Sequence, residues 1–250
     1  MRGITFAMIK LATWQNRVRR RVEGRSPRQI AALTLKTLRH AARSFSPAAA
    51  RARRADQAFD RRWGTDTGGT MNLSALNVAR DRALLGFGYQ ASNGVALTEA
   101  MAIAAVDPAR FAFVDYGSGK GRVVMIAARL GFARAIGVEF APELHTVALA
   151  NADRFTAVSG APIRCDMVLG DAGSFDPPPG PFFAYIYNSF GPVILREVLA
   201  RLEQRAGAGD PVFALYVNPR HREAFEDNGC WHVLTDRGDW VLYRLAATAG

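Results

Sequence analysis

The chain has 250 residues, 49% of them hydrophobic, and a formal charge of +10, enough for one ordinary core with a small appendage. Two cysteines, Cys165 and Cys230, exclude a disulfide-built secreted scaffold and suit a reducing compartment, and no apolar run nears the ~20 residues of a membrane-spanning helix. The charge is lopsided: residues 1–62 carry sixteen Lys and Arg against three Asp and Glu, and the remainder carries sixteen against nineteen.

Residues 4–22 read as an amphipathic helix, with Ile4, Met8, Leu11, Trp14 and Val18 at three- and four-residue steps. Two Ser-Pro starts, Ser26-Pro27 and Ser46-Pro47, open a second and a third helix, since Ser caps and Pro suits the first helical position. "GTDTGGT" then breaks the pattern. The expected division is a basic helical segment over 1–63 and a main domain over 64–250. From there strands and helices alternate: helix at "VALTEAMAIAAV", strand at "FAFVDY", helix at "GRVVMIAARLG", strand at "RAIGVEF", helix at "APELHTVALANADRF", strand at "IRCDMVLGDA", strand at "FFAYIYNSF", helix at "PVILREVLARLEQR", strand at "PVFALYVNP" and a short helix at "RHREAFEDNG". A hairpin closes the chain, turning at Arg237-Gly238. This alternation predicts an α/β, doubly wound, mostly parallel sheet, with the hairpin supplying an antiparallel strand at the edge.

The first strand runs into "DYGSGKGR", residues 115–122. In an open α/β sheet ligands sit beyond the carboxyl ends of the strands, and glycine lets backbone approach a ligand closely. A P-loop is excluded, because Gly121 follows Lys120 where a magnesium-binding hydroxyl is required. A dinucleotide fingerprint has Arg122 in place of its third glycine. It would also set Asp115 against a pyrophosphate, a repulsion of roughly 3 kcal/mol at ~5 Å and an effective dielectric of about 20. A cationic nucleoside suits the stretch better. S-adenosylmethionine is a sulfonium cation that carries an ammonium, suited to Asp115 directly or through water, and a carboxylate, suited to the backbone N–H groups of Gly117, Ser118, Gly119 and Gly121 at the helix start. The plainer alternative is a tight strand-to-helix turn with an ordinary Asp. Glu139, at the end of the second strand, is placed to accept from ribose hydroxyls. Asp171 and the N–H of Ala172, at the end of the third strand, are placed for an adenine ring, or else Asp171 is a turn residue.

On these residues the chain resembles the class I, seven-strand S-adenosylmethionine-dependent methyltransferases over about 90–246. "VDYGSGKGR" is similar to that superfamily's first motif, "GVEF" to its second-strand acid and "GDA" to its adenine-contacting segment. The stretch from "FVDYGSGKGR" to "APELH" resembles most a bacterial group of uncharacterised methyltransferases related to seven-strand protein-lysine methyltransferases, which also tend to have Asp66-Thr67-Gly68-Gly69 upstream. The resemblance implies strand order 3-2-1-4-5-7-6, an S-adenosylmethionine cofactor and a protein side-chain amine as acceptor. The usual Asn-Pro-Phe after the fourth strand is here Asn188-Ser189-Phe190. The alternatives are methylation of nucleic acid and a catalytically silent module that keeps the fold.

Methyl transfer is an in-line displacement in which the protein mainly holds nucleophile, carbon and sulfur in line. Expected catalytic residues are Asn188, accepting from an attacking amine, Tyr187, orienting it, and Phe190, packing against the acceptor. Lys120 pairs with the cofactor carboxylate or lies at the surface. The histidines have no metal-ligand spacing with the cysteines, so no metal is expected. The basic segment suits nucleic acid or an anionic membrane surface, or is a solvated helical cap. The Arg/Ala-rich composition points to a cytoplasmic bacterial protein, although an Arg-rich, acid-free start also suits a mitochondrial transit peptide.

Overall fold

Seven strands form one sheet, and each is a run of five or six residues cut out by Gly, Pro or a helix: β1 (Ala112–Tyr116), β2 (Arg134–Glu139), β3 (Cys165–Leu169), β4 (Phe182–Tyr187), β5 (Val212–Val217), β6 (Trp231–Asp236) and β7 (Trp240–Leu245). They lie in the order β3-β2-β1-β4-β5-β7-β6, the order the resemblance implied. β3, β2, β1, β4 and β5 are parallel. β7 runs antiparallel to both β5 and β6, so the antiparallel strand stands one place in from the edge. The computed structural model describes residues 47–71, 89–90, 94–160, 164–206, 210–227 and 229–246. The helices expected at 4–22 and 26–45 lie outside them.

Both faces of the sheet are covered, which is why β4 and β5 are continuous apolar runs, and β1 is one but for Asp115, and not alternating ones. On one face Val114, Ala184, Ile186, Ala214 and Tyr216 pack with Leu195, Val198 and Leu199 of α5 (Pro192–Arg205) and Phe225 of α6 (Glu223–Glu226). On the other, Phe113, Phe183, Tyr185 and Leu215 pack with Leu97 of α2 (Val95–Ile103) and Val124 of α3 (Arg122–Arg129). Burying one such side chain stabilises the fold by about 1.5–3 kcal/mol. A third cluster joins Trp63 and Phe59 of α1 (Pro47–Trp63) to Met125 of α3 and Phe155 of α4 (Pro142–Ser159). α4 and α5 both begin with the proline that suits a first helical turn. Two two-residue strands, Thr70–Met71 and Tyr89–Gln90, pair antiparallel outside the main sheet.

The chain divides into compact units after Ala52, and the second runs Arg53–Gly250. The last turns of α1, from Arg53 on, lie inside that second unit. Among the described residues no helix is long and apolar enough to cross a membrane, and no three His, Cys, Asp or Glu group as metal ligands.

Candidate functional site

The strand order reverses between β1 and β4, and crevices at such switch points are where α/β sheets bind ligands. The glycine loop leaves β1 there. Gly117 and Ser118 both donate to the Val138 carbonyl (2.9 and 3.0 Å), which folds the loop back over the neighbouring strand. Gly137 of β2 leaves the space this needs: a Cβ on it would stand 2.7 Å from Ser118 Oγ and 2.8 Å from Val124 Cγ2. Gly117, Gly119 and Gly121 all have positive φ, so the tight turn uses the freedom that only glycine supplies without strain.

Asp115 and Glu139 point to the same face of the sheet, since Asp115 is paired in register with Gly137, two residues before Glu139. Both are 3% exposed. Glu139 accepts from Gly119 N (2.8 Å) and Ala141 N (2.9 Å), so its carboxylate ties the glycine loop to the start of α4. Burial nonetheless pushes its pKa up. Among the described residues no hydrogen bond reaches the Asp115 carboxyl. Burial first, and then the charge of Glu139, push its pKa well above the usual carboxylate range. Among the described residues no Lys or Arg pairs with either carboxyl, and Lys120 and Arg122 of the same loop and helix are paired elsewhere.

Those commitments form a strap the sequence did not reveal. Lys120, 7% exposed, donates to Asp66 Oδ1 (3.0 Å) and the Gly68 carbonyl (3.1 Å). It is thus neither a surface lysine nor a partner for a cofactor carboxylate. Arg122, 3% exposed, donates to Thr67 Oγ1 (2.6 Å) and to the Asp56 carboxylate, with Asp60 at 3.8 Å. Asp60 in turn accepts from Thr65 Oγ1, Thr67 N, Thr67 Oγ1 and Gly68 N (2.7–2.9 Å). Burial raises its pKa, but these bonds outweigh burial and hold it below the usual value. Asn151 of α4 closes the strap, accepting from Asp66 N (2.8 Å) and donating to the carbonyls of Asp66 (3.0 Å) and Lys120 (3.1 Å). The "DTGG" stretch is therefore bolted over the glycine loop from α1, α3 and α4. Sequence offered one signal for this, the Asp56 and Asp60 pair one helical turn apart on an otherwise basic helix.

At the other wall of the crevice, β4 ends in Tyr187 and Asn188. Asn188 has φ +41, a left-handed conformation that Asn tolerates better than most residues. Its Oδ1 is buried without a partner, as is Ser118 Oγ. Tyr187 is half-buried, and burial, with a smaller push from Asp239, raises its pKa. Phe190 was expected to pack against an acceptor. It is 5% exposed and packs in the core under α5. Asp171 and Ala172 close β3: Asp171 caps a single turn by accepting from Gly173 N (3.0 Å), and Ala172 is buried in the same core as Phe190.

The donor set fits a cationic nucleoside. Two buried carboxyls with no cation beside them among the described residues, next to a loop of backbone N–H groups, are complementary to a positive centre with a carboxylate nearby. Asp115 would meet the positive end, the glycine loop the carboxylate, and Glu139 the ribose.

No known family model matches the chain, and no curated protein sequence matches it. Among solved structures it is similar to the ribosomal protein L11 methylase of Lactobacillus delbrueckii subsp. bulgaricus, at 18% identity over 62% of this chain and 78% of that one, with a TM-score of 0.44. It is similar to an RNA methyltransferase of Salinibacter ruber in complex with S-adenosyl-L-homocysteine, at 20% identity over 65% and 95% of the two chains, with a TM-score of 0.42. It is also similar to the precorrin-6y C5,15-methyltransferase of Geobacter metallireducens, at 15% identity over 72% and 99%, with a TM-score of 0.46.

Proposed function

We propose that the chain is an S-adenosylmethionine-dependent methyltransferase whose acceptor is a protein side-chain amine. The observation that carries the reading is the buried pair Asp115 and Glu139, which among the described residues have no cation beside them and of which Asp115 has no hydrogen-bond partner, at the switch point of a sheet ordered β3-β2-β1-β4-β5-β7-β6. The cofactor would supply an electrophilic methyl on a sulfonium. Asp115 would hold its ammonium, directly or through water, the N–H groups of the glycine loop its carboxylate, Glu139 its ribose and the Asp171–Ala172 turn its adenine.

The nitrogen acceptor is supported by Asn188 Oδ1, a buried acceptor atom still without a donor. An incoming amine would donate to it, and Tyr187 would orient that amine from the same strand end. Asn188 thus offers an acceptor to a nucleophile that carries a donor hydrogen, as an amine does. Methyl release from labelled cofactor into a cell extract, with protease and RNase controls, tests the reading. Label lost to protease is the expected result. Label lost to RNase moves the acceptor to nucleic acid, and no cofactor binding by calorimetry leaves a silent module.

A further inference from the structure

Away from the switch point, α1, α2 and α3 border an open cleft of about 380 Å³. Its floor is apolar, from Phe59, Ile126 and Leu130, and two arginines, Arg62 and Arg129, stand at its wall. No lining residue is acidic. Both guanidinium groups are drawn to one indole: Arg62 Cζ lies 5.1 Å and Arg129 Cζ 5.8 Å from the Trp63 ring centroid. Trp63 itself is 9% exposed, so the arginines, not the indole, face the opening.

Elsewhere on the sheet unit, arginines near acids are neutralised: Arg122 by Asp56, Arg134 by Asp166, Arg196 by Asp227, Arg201 by Asp176 and Arg222 by Asp236. Arg62 and Arg129 have no such partner among the described residues. The two acids of α1 are turned to Arg122 and the strap, which leaves this side of the helix wholly basic. Two like charges gathered at one concave spot, with apolar surface beside them, are complementary to an anion joined to a flat or apolar group. Arginine forks match phosphate oxygens bidentately.

We propose that this cleft is a binding site for an unpaired stretch of nucleic acid, with a phosphodiester between Arg62 and Arg129 and a base or sugar against Phe59, Ile126 and Leu130. A lipid surface is disfavoured by shape, since membrane-binding faces project apolar side chains outward, whereas these line a hollow. A duplex is too wide to bring a base into it. Further arginines along α1, Arg54 and Arg61, are exposed and add positive charge near the cleft for a strand longer than one nucleotide. The site is independent of the methyl-transfer reading, because occupancy is measured with no methyl donor present.

The test is a fluorescence anisotropy titration of the full chain with labelled oligouridine, oligothymidine and an RNA duplex over a range of salt. For Arg62→Gln with Arg129→Gln, the expected result is at least about tenfold weaker binding of the single strands. The slope of log affinity against log salt should shrink by about 1.4, two contacts' worth for a single strand. Ala58→Trp fills the cleft and keeps both charges, and should weaken binding similarly; it also decides the matter if the double variant melts early. Arg244→Gln, exposed on β7, should bind as the parent does. Equal losses for oligouridine and oligothymidine, or a loss for oligouridine alone, support the site. The proposal is overturned if the cleft variants keep parental affinity and salt slope. It is equally overturned if duplex competes as well as single strand, or if the variants lose binding to phosphatidylserine vesicles while still holding oligonucleotide.

Discussion

Ser189 leans directly over Gly117, so that a Cβ built on the glycine would stand 2.4 Å from the serine Cβ and 2.5 Å from its Oγ. The two residues bring the ends of β1 and β4 into contact at the switch point. Gly117→Ala must relieve that overlap and also hold Ala at φ +82, a left-handed conformation costing roughly 1–2 kcal/mol. We expect S-adenosylmethionine affinity to fall about tenfold or more by calorimetry. Adding Ser189→Gly should restore only part of it, because the backbone strain remains. Full restoration would mean that the clash alone matters.

Asp115→Asn is expected to move stability and binding in opposite directions. It removes a buried carboxyl that, beside Glu139, must hold a proton which an unfolded chain would release, so the free chain should melt at a higher temperature at a pH above the ordinary carboxylate range. It also removes the partner proposed for the cofactor's ammonium, a charged hydrogen bond worth ~1.5–3 kcal/mol, or about 10- to 100-fold in affinity. A variant that melts higher and binds equally well would remove Asp115 from the site.

The acids also set opposite responses to pH. Asp115, raised first by burial and then by Glu139, keeps its proton in the native chain where an unfolded chain has lost it. The native state then binds more protons, so free-chain stability falls as pH rises from the ordinary carboxylate range through the raised native value. A cation beside Asp115 favours the carboxylate, so its binding should release protons and strengthen with pH across the same window. Calorimetry in two buffers of different ionisation enthalpy reads the proton count, and none released would contradict the arrangement. Asp60 is held low by its hydrogen bonds against the pull of burial. Its contribution is present above the ordinary Asp range and is lost as pH falls through the depressed value.

Truncation should separate the basic segment from the strap. Removal of 1–52 leaves Asp56 and Asp60 in place and should preserve the melting transition and cofactor binding. Removal of 1–62 strands Arg122, 3% exposed, and breaking such a buried pair costs about 3–5 kcal/mol. Asp60→Asn and Arg122→Gln should each destabilise the chain. In a double-mutant cycle the combined loss should be smaller than the sum of the single losses; simple additivity would show that the two do not act together.

Asn188→Ala should lower kcat while leaving cofactor affinity within about twofold, because its unpaired Oδ1 serves the acceptor and not the cofactor. Equal losses in both would give Asn188 a structural role, as the holder of the left-handed turn after β4.

The sheet was legible because its strands are short apolar blocks fenced by glycine and proline. Asp115 and Glu139 were legible because each is the acid at the end of such a block. Lys120 and Phe190 were not. Whether a lysine beside a glycine faces a ligand or a strap depends on Asp66, fifty-four residues away, and no periodicity reports a bond of that span. Phe190 sits three residues past its strand, beyond a left-handed step at Asn188, so its side chain's burial in the core could not be read from the strand pattern. For the same reason the Asn151 bridge to Asp66, across eighty-five residues, left no trace in spacing.

The strap makes the glycine loop a poor module to transplant. A graft of β1, the loop and α3 into another sheet would carry Arg122 along as a desolvated cation without its counter-ions. Such a chimera inherits an uncompensated charge unless Asp56, Asp60 and Thr67 travel with it, so the heritable unit of this site is two segments distant in sequence and inseparable in space.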